Sequence, residues 1–177
     1  MEPDTCTERA LDAIKLAGRT ATSRHHQRIT PLHLLYSLIA GDDPMARQLI
    51  ETAGGQPEEV RAALDEQLAK IPAVEGTGAD TARIDGDLSR VLIEADSRAK
   101  REGDSFVTTE ILLLAIATCG GATAKALSVA PALLEAAIRD MRAGRNADSQ
   151  QAEERYDALK RFTRDITEMA EKSELDP

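Results

Sequence analysis

Two long apolar stretches, residues 29–39 and 107–117, dominate the pattern of hydrophobic and polar positions. Each includes a threonine near its start, Thr30 or Thr108, whose hydroxyl can accept from the N–H groups that a helix leaves unpaired at its first turn. Pro31 suits the first helical position, because its missing N–H would have no partner there. Apolar residues then continue around almost the whole circumference, which is typical of a helix buried on most sides. The pattern therefore predicts two central helices.

The two stretches lie 78 residues apart, and the segments before them repeat with the same spacing. An apolar stripe with helical spacing recurs in both copies. Its positions are Ala10, Ala13, Ile14, Ala17 and Ala21 in the first copy, and Leu88, Val91, Leu92, Ala95 and Ala99 in the second. Five positions in one register indicate an internal duplication.

Proline and glycine divide the rest of each copy into shorter helices. In the first copy a helix from about Thr7 to Ser23 precedes the central helix, and two further helices start near Pro44 and Pro57. Gly54-Gly55 and Gly120-Gly121 interrupt the helical pattern at related places, since glycine accepts the left-handed conformation found after helix ends. Pro131 starts the last helix of the second copy.

These elements predict an all-α fold of about eight helices, as two four-helix repeats related by a pseudo-twofold axis, with a C-terminal linker helix. Repeat one covers about residues 5–70 and repeat two about 85–142, joined by a linker at 71–84. We expect one domain over residues 1–143. Residues 144–177 form a linker whose narrow apolar stripe has no partner of its own: Tyr156, Leu159, Phe162, Ile166 and Met169.

Composition narrows the functional classes. The chain has 177 residues, of which 42% are apolar and 2% aromatic, so its core must be built from small aliphatic side chains. The net charge of −9 argues against general nucleic-acid binding, which needs cations to displace counterions from phosphates. The sequence contains no stretch typical of a membrane span or a secretory signal. Two distant cysteines favour a reducing compartment, and we expect a cytoplasmic protein.

The sequence shows no pattern typical of catalysis or metal binding. His25 and His26 are predicted to be a polar loop pair, and His33 a hydrogen-bonded core histidine. Further ligands at metal-binding spacing are missing. Cys6 and Cys119 lack basic neighbours that would lower a thiol pKa, so both are predicted to be structural. We expect no enzyme active site, no metal and no bound cofactor in these residues.

Asp104 and Glu110 allow two interpretations. Both flank the start of the second central helix, where negative charge is favourable, so they can be purely structural. Alternatively they form an acidic rim whose carboxylates accept from the backbone N–H groups of an extended peptide. In that case Leu92, Ile111 and Leu114 form the floor of an apolar groove, although their spacing is equally typical of a plain core.

The duplicated pattern around Thr30-Pro31-Leu32-His33-Leu34-Leu35 resembles the N-terminal domain of the Clp/Hsp100 family of AAA+ unfoldases. Further stretches resemble the disaggregase branch of that family: residues 7–10, 72–78, 103–106, and 156–167 with Leu175-Asp176-Pro177. The last of these leads, in the family, into the first ATPase module. By resemblance, residues 144–177 are therefore a linker and the start of that module, and the end of the chain indicates truncation before it.

The resemblance implies a chaperone module that binds exposed apolar segments of unfolded or aggregated proteins and delivers them to an ATP-driven pore. The family's substrate-groove positions fall on Thr7, Leu92, Asp104, Glu110 and Ile111. Arg98 and Cys6 stand where the family usually has apolar and aromatic residues, which makes the groove less apolar.

Partners and cofactors follow from the same resemblance. ATP and Mg²⁺, a homohexamer and cooperation with the DnaK chaperone system are implied for parts outside this sequence. The alternative is a domain that docks folded adaptor proteins, as in the ClpA and ClpC unfoldases. Binding of an unfolded polypeptide without any adaptor distinguishes the two.

Overall fold

The computed structural model describes residues 3–74 and 82–158. The helices of repeat one are α1 (Glu8–Ser23), α2 (Pro31–Ala40), α3 (Met45–Thr52) and α4 (Pro57–Ala69). Those of repeat two are α5 (Gly86–Glu102), α6 (Thr109–Cys119), α7 (Ala122–Leu127) and α8 (Pro131–Arg142). The structure also contains a 3₁₀ turn (Pro3–Thr5) and two strands of two residues each, β1 (Arg28–Ile29) and β2 (Arg83–Ile84). Residues 152–158 are helical as well. The predicted all-α fold of two four-helix repeats is confirmed.

The starts of α1 and α5 follow from their caps. Thr7 accepts from the Ala10 N–H (3.3 Å) and Asp85 accepts from the Leu88 N–H (2.7 Å), and these two caps are equivalent in the duplication. At α2 the Thr30 N–H donates to Nδ1 of His33 (3.1 Å). The prediction that the Thr108 hydroxyl caps α6 is wrong, because this hydroxyl instead accepts from Arg142 (3.2 Å).

The two repeats exchange their leading segments across the pseudo-twofold axis. The segment before α5 pairs in parallel with the segment before α2, with Ile84 opposite Ile29. The segment before α1 pairs in the same way with the segment before α6, with Cys6 opposite Val107. Each repeat therefore completes the other, and both contribute to one shared hydrophobic core.

The central helices α2 and α6 lie at the middle of this core. The α6 side chains from Glu110 to Ala117 are buried on every face, and α2 buries all but two of the positions from Pro31 to Ile39. Burial of large aliphatic side chains contributes about 1.5–3 kcal/mol each. The predicted all-round burial of the central helices is confirmed.

The loop before α2 carries the predicted polar pair, and its two histidines differ in exposure. His25 is exposed and His26 is buried, while His33 is fully buried in the core, as predicted. Because Nδ1 of His33 accepts from the Thr30 N–H, its Nε2 carries the hydrogen and donates to Nδ1 of His26 (2.9 Å). This neutral pair holds the loop against α2.

The chain after α8 packs on the domain as far as the described residues go. Ala147, Ala152 and Tyr156 join the hydrophobic core, with at most 3% of each side chain exposed. Tyr156 belongs to the stripe that lacked a partner in the sequence, and it finds one in the two repeats. The rest of that stripe lies outside the described residues: Leu159, Phe162, Ile166 and Met169. So does half of the linker predicted at 71–84, namely residues 75–81. Across the described ranges, no helix is long and apolar enough to cross a membrane.

Candidate functional site

The structure brings three of the six predicted site residues together. Thr7 lies at the start of α1, Asp104 precedes α6 and Glu110 occupies the first turn of α6. Thr7 and Asp104 contact the segment that follows α8, and Glu110 contacts Arg142 at the end of α8. We call the buried polar region formed by Thr7, Asp104, Thr109 and Glu110 the seam, because it joins the leading segments of the two repeats. Thr7 and Glu110 are completely buried and Asp104 is 7% exposed.

The other three predicted residues are part of the core. Leu92 on α5 is 8% exposed, and Ile111 and Leu114 on α6 are 0% and 1% exposed. Of the three, Leu114 contributes to the floor of the surface depression described below.

Arg142, the last residue of α8, holds the acidic side of the seam. Its guanidinium donates to Asp104 (2.7 Å), Glu110 (2.9 Å) and Thr108 (3.2 Å), and it also pairs with Glu102 (3.4 Å). Burial disfavours the charged guanidinium, but the Glu110 and Asp104 carboxylates outweigh this and raise the pKa of Arg142. Burial also raises the pKa of Glu110, against the opposing effect of Arg142. Asp104 and Glu110 thus compensate a buried cation.

Glu153 occupies the other side of the seam. One carboxylate oxygen accepts from the Thr109 N–H (2.9 Å) and contacts the Thr109 hydroxyl, and the other oxygen contacts the Thr7 hydroxyl. Burial, followed by the nearby Glu110 carboxylate, raises the pKa of Glu153 to about 8 although these donors oppose the shift. At pH 7 Thr7 and Thr109 therefore surround a carboxyl group that keeps its proton.

Backbone hydrogen bonds fix the segment between Arg142 and Glu153. Asp104 accepts from the Ala147 N–H (2.8 Å), and the Ser105 N–H donates to the Ala147 carbonyl (2.9 Å). Further along, the Glu8 N–H donates to the Gln150 carbonyl (3.0 Å). The interaction between Asp104 and a backbone N–H is the one expected for a bound peptide, but here the chain itself supplies it.

A depression of about 310 Å³ lies between α5, α6, α8 and the start of this segment. Leu114 and Ile138 form its apolar floor, and its walls are polar: Glu102, Glu135, Arg139, Arg142, Gly144, Arg145 and Asn146. The Arg98 guanidinium forms ion pairs with two of these wall residues, Glu102 (3.4 Å) and Glu135 (3.3 Å). Arg98, at a position where the family usually has an apolar residue, therefore places a positive charge beside the apolar floor.

Sequence reasoning missed Arg142 and Glu153. A signal existed for Arg142, which follows Leu134 and Ile138 at intervals of four residues and so lies on the buried stripe of α8. A charged residue on a buried stripe requires a partner. No comparable signal marked Glu153, because the sequence indicated no packing partner for the segment after α8. Among residues 3–74 and 82–158, no group of three or more His, Cys, Asp or Glu side chains could hold a metal ion.

The structure is a duplicated helical domain, in which two four-helix repeats exchange their leading segments. Comparison with known protein families identifies its class. Residues 5–130 match the Clp repeat N-terminal domain, so the chain belongs to this family. The domain is thus not itself a catalytic one.

The relatives place it more narrowly, among chaperones. It is similar to the chaperone protein ClpB of Brucella suis (43% identity over 181 residues) and of Rickettsia bellii (39% over 180 residues). The whole chain is covered in both cases, and it spans 21% of the length of these relatives.

Solved structures show the same fold at low identity. The Hsp104 N-terminal domain from Candida albicans superposes with a TM-score of 0.73 at 22% identity, covering 83% of this chain and 97% of that one. The N-terminal domain of ClpD from Arabidopsis thaliana gives 0.58 at 21% identity, covering 77% and 94%. The chain is thus a Clp repeat N-terminal domain that is similar over its whole length to part of ClpB chaperones.

Proposed function

We propose that this module binds exposed apolar segments of unfolded or aggregated proteins and passes them to the ATP-driven pore of a disaggregase. ATP and Mg²⁺ binding, a homohexamer, a cytoplasmic location and cooperation with DnaK belong to the same proposal. ATP and Mg²⁺ binding, hexamer formation and cooperation with DnaK concern parts of the protein outside these residues. Family membership supports the chaperone role, and the depression at Leu114 and Ile138 supports direct polypeptide binding.

The size and lining of the depression favour a single side chain over a folded surface. A volume of about 310 Å³ is at the low end of pockets that take small ligands. The apolar floor suits one aliphatic or aromatic side chain, while the charged walls can hydrogen-bond the backbone on either side. An adaptor-docking surface would instead need a broad face of roughly 800 Å² on each partner.

The expected affinity is low. Burying one or two apolar side chains yields about 1.5–3 kcal/mol each, and ordering the peptide offsets several kcal/mol. Dissociation constants of about a millimolar or weaker follow from these two contributions. Several such modules on one hexamer would raise the overall avidity without new contacts. Weak binding at each module suits a domain that must release its client to a pore.

The test is a titration of the labelled domain with an unfolded, leucine-rich polypeptide in the absence of any adaptor, followed by amide NMR shifts. We expect the shifts to gather around Leu114, Ile138 and the α5–α8 walls. Arg139→Trp fills the mouth of the depression from an exposed position, and we expect it to weaken binding at least tenfold. Lys125→Trp, on the exposed side of α7, is the matched control and should leave binding unchanged.

Two outcomes would contradict the proposal. If millimolar polypeptide produces no shifts, direct client binding is wrong and the adaptor-docking alternative is favoured. If shifts occur but Arg139→Trp and Lys125→Trp behave alike, the depression is not the binding site.

A further inference from the structure

We infer that the depression at Leu114 and Ile138 is a binding site for a single aromatic ring that carries a hydrogen-bond donor, as phenols and indoles do. The ring belongs either to a free small molecule or to an aromatic side chain of a client polypeptide, and in the second case the site rests on the proposed function. The duplication carries this inference, because the first repeat fills the equivalent place with a ring of its own.

Tyr36 is the ring of the first repeat. It occupies the position in α2 that Leu114 occupies in α6, and its side chain packs against the hydrophobic core. Two guanidiniums approach the ring, with Cζ of Arg24 at 5.2 Å and Cζ of Arg61 at 5.9 Å from its centroid. Both distances are within the range of cation–π contacts. The first repeat therefore holds an aromatic ring between two arginines.

The residues around this ring correspond to residues that line the depression. The offset is 78 residues for α5 and α6 and 74 residues for α8, because a loop of the second repeat is shorter. Both sets lie at the end of the first helix of a repeat, within the second helix and along the fourth. The pairs are Arg24 with Glu102, Tyr36 with Leu114, Arg61 with Glu135, Leu64 with Ile138, and Asp65 with Arg139.

Leucine leaves open the space that tyrosine fills. Leu114 lacks a ring, and a depression of about 310 Å³ remains beside it and Ile138. This volume is at the low end of pockets that take small ligands, and it suits one ring or two fused rings. Because folded proteins are close-packed, a ring seated on Leu114 and Ile138 would restore the contacts that Tyr36 gives to the first repeat.

Arg139 is available for the face of such a ring. In the first repeat its equivalent, Asp65, holds Arg24 in an ion pair (3.0 Å). The equivalent charges are reversed in the second repeat, but Glu102 pairs there with Arg98 (3.4 Å) instead. Within the described part of the chain, Arg139 therefore lacks the ion pair that its first-repeat equivalent forms. Its guanidinium lines the depression and can stack on a ring there.

Arg145 supplies a second cation, and the walls supply acceptors. Arg145 lines the depression, and its buried Nη1 has no hydrogen-bond partner among residues 3–74 and 82–158. The face of an aromatic ring accepts from a guanidinium N–H, so a bound ring would engage this group. A hydroxyl or indole N–H at the edge of the ring can donate to the carboxylate of Glu102 or Glu135. An aliphatic group would offer neither interaction.

The experiment titrates the full chain with phenol and follows the amide NMR shifts. We expect the shifts to centre on Leu114, Ile138 and Arg145. Cyclohexanol keeps the hydroxyl but has no π system, and toluene keeps the aromatic ring but has no donor. We expect each of these two compounds to bind at least fivefold more weakly than phenol. Absence of phenol-induced shifts at these residues, or equally tight binding of either control compound, overturns the inference.

Two variants use the duplication as a second test. Leu114→Tyr places the protein's own ring in the depression, as in the first repeat, and should weaken phenol binding at least tenfold. Ile93→Tyr, at an isoleucine that is 67% exposed, is the matched control and should leave phenol binding unchanged. Tyr36→Leu opens the equivalent place in the first repeat and should produce a second set of phenol-induced shifts around Leu64.

Unchanged phenol binding in Leu114→Tyr overturns the inference. If that variant does not fold, the absence of a second set of shifts in Tyr36→Leu does so instead. These arms do not involve a polypeptide, so they test the ring site independently of the client function.

The source of the ring is identified with an unfolded polypeptide that contains tyrosine and a second one in which leucine replaces each tyrosine. If the tyrosine polypeptide binds at Leu114 at least fivefold more tightly, the ring belongs to the client and both proposals stand. If phenol binds there but neither polypeptide does, the client function is wrong and the site serves a free small molecule. If both polypeptides bind equally and phenol does not bind, client binding stands and the ring inference is wrong.

Discussion

Replacing Arg142 by leucine tests whether the acidic residues of the seam are held by charge compensation. The Arg142 side chain is 6% exposed, and the side chains of Asp104 and Glu110 are not exposed at all. Removing the guanidinium leaves two buried carboxylates without their cation. Breaking a buried ion pair in this way costs about 3–5 kcal/mol, which is a large part of the roughly 5–15 kcal/mol that stabilises a typical domain.

The measurement is urea unfolding followed by circular dichroism at pH 7. With a loss of about 4 kcal/mol and a slope of about 2 kcal/mol/M, the midpoint should move down by about 2 M. The loss should shrink as the pH falls, because Glu110, whose pKa burial already raises, then takes up a proton. Arg139→Leu, an exposed change on the same helix, should shift the midpoint little.

The duplication supplies a rescue variant. Glu110 is equivalent to Leu32 of the first repeat, and Arg142 is equivalent to Leu68 in the fourth helix. The double change Arg142→Leu with Glu110→Leu therefore makes the second repeat resemble the first and should restore more than half of the lost free energy of unfolding. A loss below about 1 kcal/mol for Arg142→Leu alone, or a double variant no more stable than the single one, would refute the charge-compensation reasoning.

Three further predictions concern other parts of the fold. Burial lowers the pKa of His33 to about 4, so unfolding takes up a proton below about pH 6.5. About 3 kcal/mol of stability should therefore be lost as the pH falls from about 6.5 to 4. In His33→Gln the urea midpoint should depend less on pH across this range. The pKa of Glu153 is raised to about 8, so the folded state keeps this proton and stability should decrease as the pH rises from about 4.5 through 8. The difference in urea midpoint between the wild type and Glu153→Gln should follow this decrease. A difference that stays constant with pH would contradict the prediction. Asp85→Ala removes the cap of α5 and should cost about 1 kcal/mol in thermal or urea unfolding, whereas Asp87→Ala, exposed in the same turn, should cost less.

Much of the fold could be predicted because its information is local and periodic. The stripes of α1 and α5, the all-round apolar pattern of α2 and α6, and the proline and glycine positions each determine one helix with little reference to the rest of the chain. The 78-residue spacing then relates the helices in pairs. Thr7 caps α1, and its equivalent in the second repeat, Asp85, caps α5. Even the starts of these helices therefore follow from the chemistry of single residues.

The sequence could not show which residues the seam brings together. His26, seven residues before His33, becomes buried only because the loop folds back onto α2. Glu153 lies 146 residues from Thr7 and 44 from Thr109, and no periodicity connects such positions. The placement of Asp104 beside Ala147 and of Glu110 beside Arg142 likewise depends on where α8 and the chain after it lie.

The amino-acid sequence by itself thus determined the helices, their duplication and the family, because hydrophobic spacing and caps act within a few residues along the chain. Tertiary structure alone decided that Arg142 compensates Asp104 and Glu110, that Thr7 and Thr109 surround Glu153, and that residues 145–157 occupy the seam. The physical reason is that charge compensation and hydrogen bonding act over a few ångströms in space. Only the folded chain sets those distances between residues that are far apart in sequence.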